Sequence, residues 1–366
     1  MPTFSPPAFT TVAKRVFNPR YQEWNLQVEQ ALGQKTSVSL NYVGNHGIHE
    51  TVSNPSVNAF CDVNCLGALG APAGVTQFAG LPTAQPDTRF SSVTEISSSA
   101  VSNYNGATVS LVRRSTNLTV QANYTWSHAL DEISNGGILQ FGQATNFTFA
   151  NPIDPFNLKR LNYGNADYDT RHYFSFSYVY TVPHKWGPSA LLGGWTVSGT
   201  MFARTGLPFT VYDSNAFGNL NAFGYGFPNI PFSPSVPANI VGDPSHTCTS
   251  DAVTKPCLNA ANFTPALTGF GNQRRNQFYG PSFFNTDLQL TKAFKIPKWE
   301  GAQFSIGANF FNILNHSNFD QPTGDIASGQ FGTIVLPVNS PTSIYGSFLG
   351  ADASPRLIQI QGKLTF

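Results

Sequence analysis

Nine segments of this 366-residue chain alternate apolar and polar residues with period two, and the connections between them alternate between tight turns and long loops. The segments span approximately residues 21–32, 35–43, 104–114, 118–127, 169–182, 194–204, 283–294, 302–312 and 356–366. Side chains alternate sides along a strand, so each segment has one greasy face and one wet face. The fourth is the cleanest: Leu118, Val120, Ala122, Tyr124 and Trp126 face one way, Thr119, Gln121, Asn123 and Thr125 the other. In the last, Ile358, Ile360, Gly362, Leu364 and Phe366 oppose Gln359, Gln361, Lys363 and Thr365.

Strands of about 10 to 13 residues cross a bilayer at a tilt, and outer-membrane barrels join theirs by short periplasmic turns and long extracellular loops. Turns near residues 33, 115, 186 and 299, separated by loops at 44–103, 128–168, 206–282 and 313–355, fit that scheme. The pattern predicts an all-β fold, an antiparallel up-and-down transmembrane β-barrel, present as one partial domain over residues 1–366. A strand at about 90–98 is expected inside the first long loop, with Gly44-Asn45-His46-Gly47 breaking the strand before it. Trp186 beside Lys185 and Trp299 beside Lys298 are expected at the headgroup boundary, where amphipathic rings and snorkelling lysines are favoured. A soluble β-sandwich is the alternative, but loops of about 40 to 75 residues without their own structure argue against a compact soluble domain. Nine is odd, whereas bacterial single-chain barrels have even numbers, and an open sheet leaves edges unpaired in lipid. Further barrel strands upstream are therefore expected as partners.

Composition agrees. Only 11% of residues are charged, against about 25% in soluble domains. Polarity comes from Asn, Ser, Thr and Gln among 31 Phe and 13 Tyr. A net charge of +1 gives no electrostatic footprint for nucleic acid. No run of about 18 apolar residues offers a helical span. The first residues, Met1 to Pro7, lack the basic and apolar regions of a signal peptide, which suggests the C-terminal part of a longer chain. The four cysteines form close pairs, Cys61/Cys65 and Cys248/Cys257, read as small-loop disulfides of an oxidising compartment rather than free thiols or a zinc site.

No motif of an enzyme is present: there is no Gly-x-Ser-x-Gly elbow, P-loop or His-Glu-x-x-His. No cofactor or metal is expected, and His46, His49, His128, His172 and His184 are scattered. Asn165, Asp167, Asp169, Arg171 and His172 form the densest polar cluster. Alternating Asn and Asp can converge on calcium, but the EF-hand spacing is absent, and a polar rim with Arg171 paired to an acid is expected. Asp131-Glu132 is read as a solvated loop. Tyr212, Phe217, Phe223, Tyr225 and Phe227 form a loop aromatic cluster that either grips a sugar or peptide or packs its loop against the barrel.

Several stretches together resemble the C-terminal barrel of TonB-dependent receptors, in particular the Oar-like, carboxypeptidase-regulatory-domain-containing class. They are Tyr42-Val43-Gly44-Asn45-His46-Gly47, Ser102-Asn103-Tyr104-Asn105-Gly106, Tyr124-Thr125-Trp126-Ser127-His128, the run Tyr163 to His172, Gly193 to Gly199, Thr205 to Thr210, Phe310 to Phe319, and the aromatic C-terminus. The resemblance implies outer-membrane localisation and energy-coupled uptake of a bulky substrate such as an oligosaccharide, peptide or metal chelate. It implies a plug domain, the TonB energy-coupling complex and outer-membrane lipid as partners. It also implies an assembly signal read by the outer-membrane assembly machinery at Phe366, with Leu364 and Ile360 on the same face. The competing class is a secreted or surface-exposed β-rich binding or adhesion protein without transport activity.

Overall fold

The computed structural model describes residues 6–134, 154, 156–183, 193–214, 236–296, 299, 301–335, 337–338 and 355–366. Nine long strands follow one another: β1 (Arg20–Ala31), β2 (Thr36–Asn54), β3 (Val93–Arg114), β4 (Leu118–Asp131), β5 (His172–Thr181), β6 (Trp195–Arg204), β7 (Phe283–Lys295), β8 (Gln303–Phe311) and β9 (Leu357–Thr365). Each pairs antiparallel with its sequence neighbours in one up-and-down sheet, β1 and β9 being the ends of the path. Two short segments join it off the path: Phe9–Val12 lies parallel to the start of β3, and Gly164–Asn165 pairs with the end of β4.

Register makes the sheet two-faced. Residues directly opposite in an antiparallel pair share a face. One unbroken row reads Val28, Leu40, Val109, Tyr124, Phe174, Ala203 and Phe284 from β1 to β7. A second runs Val120, Tyr178, Gly199, Leu288, Phe310 and Ile358 from β4 to β9. A row on the other face reads Ser39, Ser110, Asn123 and Ser175. The apolar face is not covered by protein: Leu40 is 48% exposed, Ile360 78% and Phe366 89%. A soluble sheet of this size would bury such a face, whereas a barrel wall turns it toward lipid. At the turn end of this face the Lys292 ammonium lies 5.3 Å from the Trp195 ring and 5.4 Å from the Phe294 ring. Trp299 is exposed at the neighbouring turn, while Lys185, Trp186 and Lys298 lie outside the described residues.

The expected break at Gly44-Asn45-His46-Gly47 does not occur. β2 continues to Asn54, and β3 begins at Val93 rather than at Tyr104. The glycines serve close approach, not a turn. Trp24 lies directly opposite Gly44, and a Cβ there would sit 2.2 Å from the indole ring. At Gly47 a Cβ would meet Glu50 and Ser102 at 2.3 and 2.4 Å. The irregularity falls one turn later, where the register shifts between Gly47 and Glu50 and His49 adopts a positive φ of 60°. This extra hairpin arm carries the sheet beyond the span that lipid needs.

The long loops also differ from the sequence expectation, because they have structure of their own. Helix α1 (Val63–Leu69) is capped by the Asp62 side chain, which accepts the Cys65 N–H at 2.9 Å, and closed by Gly70 with φ 72°. It packs Leu66 and Leu69 with Phe78, Leu161 and Phe270, drawing three loops into one cluster. A second cluster joins Phe209, Val211, Phe263, Phe278 and Phe331. Burying a phenylalanine side chain is worth about 1.5–3 kcal/mol, so a few such rings per cluster order the loops as a cap over one end of the sheet. Cys61–Cys65 and Cys248–Cys257 are disulfide-bonded, with Cα separations of 5.2 and 5.4 Å, one in each cluster.

Candidate functional site

The capped end concentrates the polar chemistry. Arg275, from the loop between β6 and β7, is buried beside the end of β4. Its Nη2 donates to the Asp131 carboxylate and, at 2.7 Å, to the Asp131 carbonyl. Its Nη1 donates to the Ser134 hydroxyl and lies 3.5 Å from Asp167 Oδ1, while Nε donates to the Asn162 carbonyl at 3.0 Å. Neighbouring Asn276 donates to Asp167 Oδ1 at 2.6 Å and to the Asn165 carbonyl at 2.8 Å. Burial holds the Arg275 guanidinium down at about 9, so it remains a cation at neutral pH beside the two carboxylates. The arrangement is a latch that fastens the third long loop to the rim of the first half of the sheet.

This corrects the reading of Asp131-Glu132 as a solvated loop. Asp131 is 4% exposed and is the main acceptor of the latch; Glu132 is 2% exposed. Glu132 Oε2 accepts the Val101 N–H at 3.1 Å, and burial pushes its carboxyl above the ordinary range. Asp131 also accepts from the nearby Ser134 hydroxyl at 2.9 Å, but its cationic partner lies 144 residues away, beyond the reach of any local pattern. Within the polar cluster of the second loop, Arg171 Nε sits 3.1 Å from Asp169 Oδ2, and Asp169 Oδ1 accepts the Ala129 N–H at 2.7 Å. Burial pushes the Asp169 carboxyl up against these two opposing contacts. Among the described residues no group of three or more His, Cys, Asp or Glu side chains is placed to hold a metal ion.

Among the described residues, clefts open at this end on opposite sides of the sheet. The larger, about 550 Å³, is lined by Arg171, His172, Thr205, Tyr279 and His316, with Cys248 in its wall. His172 Nδ1 lies 2.7 Å from the Tyr124 hydroxyl, and the His316 ring stands edge-on to Phe284 at 5.6 Å. Both supporting rings belong to the apolar row, so this cleft sits just above the apolar face. Its guanidinium is paired with Asp169, which leaves little net charge.

The smaller cleft, about 410 Å³, is lined by Tyr104, Thr125, Ser127, Ala129, Tyr168, Thr170 and Tyr173. It belongs to the polar face, since Tyr104 pairs with Ala129, and Thr125 pairs with Thr108 and Tyr173. From sequence, Tyr104 and Tyr168 stand within the stretches that carry the resemblance, and none of the three tyrosines is a ligand candidate. The signal was there, because Tyr104 and Tyr173 are aromatic residues at positions where parity calls for Ser, Thr or Asn.

Of the loop aromatics singled out from sequence, Tyr212 is half-buried, its N–H donating to the Gly324 carbonyl at 2.9 Å. Burial and nearby Asp325 push its phenol up. Phe217, Phe223, Tyr225 and Phe227 lie outside the described residues. Phe366, Leu364 and Ile360 lie exposed along β9, the latter two opposite Phe304 and Ala308.

Among solved structures, the chain is similar to the outer membrane transporter YddB from Escherichia coli, at 10% identity and a TM-score of 0.43, covering 96% of this chain and 33% of that one. It is also similar to the ferripyoverdine receptor of Pseudomonas aeruginosa, at 10% identity and a TM-score of 0.40, covering 94% and 27%. For the FrpB iron transporter from Neisseria meningitidis the values are 9% identity, a TM-score of 0.39, and coverage of 89% and 31%. The chain thus spans a third or less of the length of each of these proteins. No curated protein sequence matches it. The model of the outer membrane beta barrel domain family matches residues 1–359. With nine antiparallel strands, an apolar face left open to lipid and a cap of loops at one end, the chain belongs to the outer membrane beta barrel domain family and resides in the outer membrane.

Proposed function

We propose that residues 1–366 are one barrel portion of a TonB-dependent receptor for energy-coupled uptake of a bulky substrate, rather than a catalyst. The observation that carries this reading is the sheet's two-faced register combined with a latched cap. The apolar rows lie open across the strands, and the capping loops are held by Arg275 over one end. A wall that only anchored an adhesion loop would not need a loop 144 residues distant tied to its rim by a buried ion network. Exposure of Ile360 and Phe366 on the apolar face also speaks against a secreted soluble binding protein.

Under this reading the cap is the extracellular, substrate-meeting end, and the turns after β1, β3, β5 and β7 are periplasmic. A plug domain and the TonB complex are the coupling partners, and the strand ending in Phe366 is what the assembly machinery reads. The four described tight-turn or strand-end rings Trp195, Phe294, Trp299 and Phe366 then mark the inner lipid boundary. The test is recovery of the protein from cells. The receptor reading expects detergent-dependent extraction from outer membranes, heat-modifiable gel migration, and substrate accumulation that stops when the proton-motive force is collapsed. A monomer that stays soluble without detergent would sink it.

A further inference from the structure

The cleft on the polar face is built differently from everything else at the rim. Its lining contains three tyrosines, three hydroxyl residues and one alanine, and no charged group. Its rings are held in place. Tyr173 stands edge-on to Phe202 with centroids 5.0 Å apart. Tyr104 lies across Gly106, where a Cβ would come within 2.4 Å of its hydroxyl, so the glycine is what lets the ring lie down on the strand. Among the described residues the Tyr104 hydroxyl has no hydrogen-bond partner. Thr108 and Thr125 share one hydrogen bond of 2.8 Å, which leaves one of the two hydroxyl hydrogens to donate elsewhere. The neighbouring cations are engaged elsewhere: Arg171, next to Thr170, is held by Asp169 at 3.1 Å and by His128 at 2.7 Å, and Arg204, opposite Tyr173 in the ladder, is buried and turned to the Thr205 carbonyl at 3.1 Å and the Phe283 ring at 5.3 Å.

From these features we infer that the cleft of Tyr104, Tyr168 and Tyr173 binds a neutral saccharide, which would be the substrate class of the receptor proposed above and rests on that reading for its place in uptake. The chemistry is complementary. Sugar rings present C–H faces that pack on aromatic rings, and equatorial hydroxyls that exchange hydrogen bonds with phenols and threonines. Rings already fixed by Phe202 and Gly106 lose little freedom on binding. A carboxylate-rich metal chelate or a charged peptide would find no counter-charge here and would lose its hydration. A volume of about 410 Å³ lies within the range of small-ligand sites and accommodates a short oligosaccharide end.

The experiment uses the protein extracted from outer membranes in an amine-oxide detergent, which carries no sugar headgroup. It is applied to an array of neutral oligosaccharides covering α- and β-linked glucans, xylans, mannans and galactans, with a triglutamate peptide and ferric citrate as charged probes. The expected result is binding of at least one neutral glycan and neither charged probe. Titration calorimetry should then show Tyr104→Ala and Tyr173→Ala weakening that glycan about tenfold or more. Tyr104→Phe, which keeps the ring, should lose less than Tyr104→Ala, with heat-modifiable migration confirming assembly of each variant. No glycan bound by the wild-type protein, or glycan affinity unmoved by Tyr104→Ala, would overturn the assignment. The two readings fail separately. Glycan binding without uptake that depends on the proton-motive force removes the receptor and keeps the saccharide site. Uptake of some substrate with no glycan bound removes the site and keeps the receptor.

Discussion

Replacing Leu40 by arginine tests the assignment of faces most directly. Leu40 lies in the apolar row between Val28 of β1 and Val109 of β3. It is four residues beyond Thr36, the first residue of β2. At about 3.3 Å per residue and a tilt near 45°, that places it roughly 9 Å in from the turn end, short of the middle of a ~25 Å apolar band. An arginine at the midplane of such a band costs about 2–4 kcal/mol, falling toward the interfaces, so ~2–3 kcal/mol is expected here. The matched control is Ser39→Arg. Ser39 lies one residue away, on the opposite face, between Glu29 and Ser110. An arginine there looks into a polar space with a carboxylate opposite and should cost nearly nothing. The difference corresponds to roughly 30- to 150-fold in the folding equilibrium, as 1.4 kcal/mol is tenfold. It is read as the urea midpoint of heat-modifiable migration for protein reconstituted in lipid vesicles. Equal effects of the two substitutions, or a larger effect of Ser39→Arg, would refute the lipid-facing assignment of the row.

Three further outcomes follow from the cap. Arg275→Ala leaves Asp131 and Asp167 buried without their cation and should cost about 3–5 kcal/mol locally; limited proteolysis should then cut the loop between β6 and β7 while the sheet stays intact. Cys248→Ser together with Cys257→Ser removes a link of sequence separation 9, worth about 2–3 kcal/mol by loop-closure entropy, and hydrogen exchange around Phe278 should accelerate. Burial raises the Glu132 carboxyl above its ordinary 4.5, so its contribution favours the folded rim below that pH and is lost as pH rises through the shifted value. Glu132→Gln should therefore raise rim stability at neutral pH and flatten the gain otherwise seen on acidification; an unchanged pH profile would contradict the burial.

Much of the wall was legible because a barrel strand repeats a two-residue rule over its whole length. In β4, every apolar residue from Leu118 to Trp126 proved to share one face. The limits were set where that rule stops applying. Above the lipid, β2 and β3 no longer need an apolar face, so the sequence pattern faded at Gly44 while the backbone pairing continued to Asn54. The Gly-Asn-His-Gly run looked like a turn because glycine's small size and its conformational freedom leave the same mark in a sequence; only the position of Trp24 separates them. The cap was opaque for another reason. Its order comes from contacts such as Phe78 with Phe270 and Asp131 with Arg275, which join segments far apart in the chain and repeat nothing.

The ends of the sheet impose an arithmetic of their own. β1 and β9 are the first and ninth members of a strictly alternating series, so both run from the capped end toward the turns. Among the described residues each carries a row of backbone donors and acceptors without a strand partner, which hydrocarbon cannot satisfy. Direct closure of β9 on β1 would be a parallel joint, and so would each joint made with a second copy of this sheet inserted in the same orientation. Antiparallel closure instead demands that an odd number of strands fill the gap, beginning and ending with one that runs outward. Whatever completes this wall is thus constrained in parity as well as in length, and a count of its strands can be checked without knowing anything about what passes through.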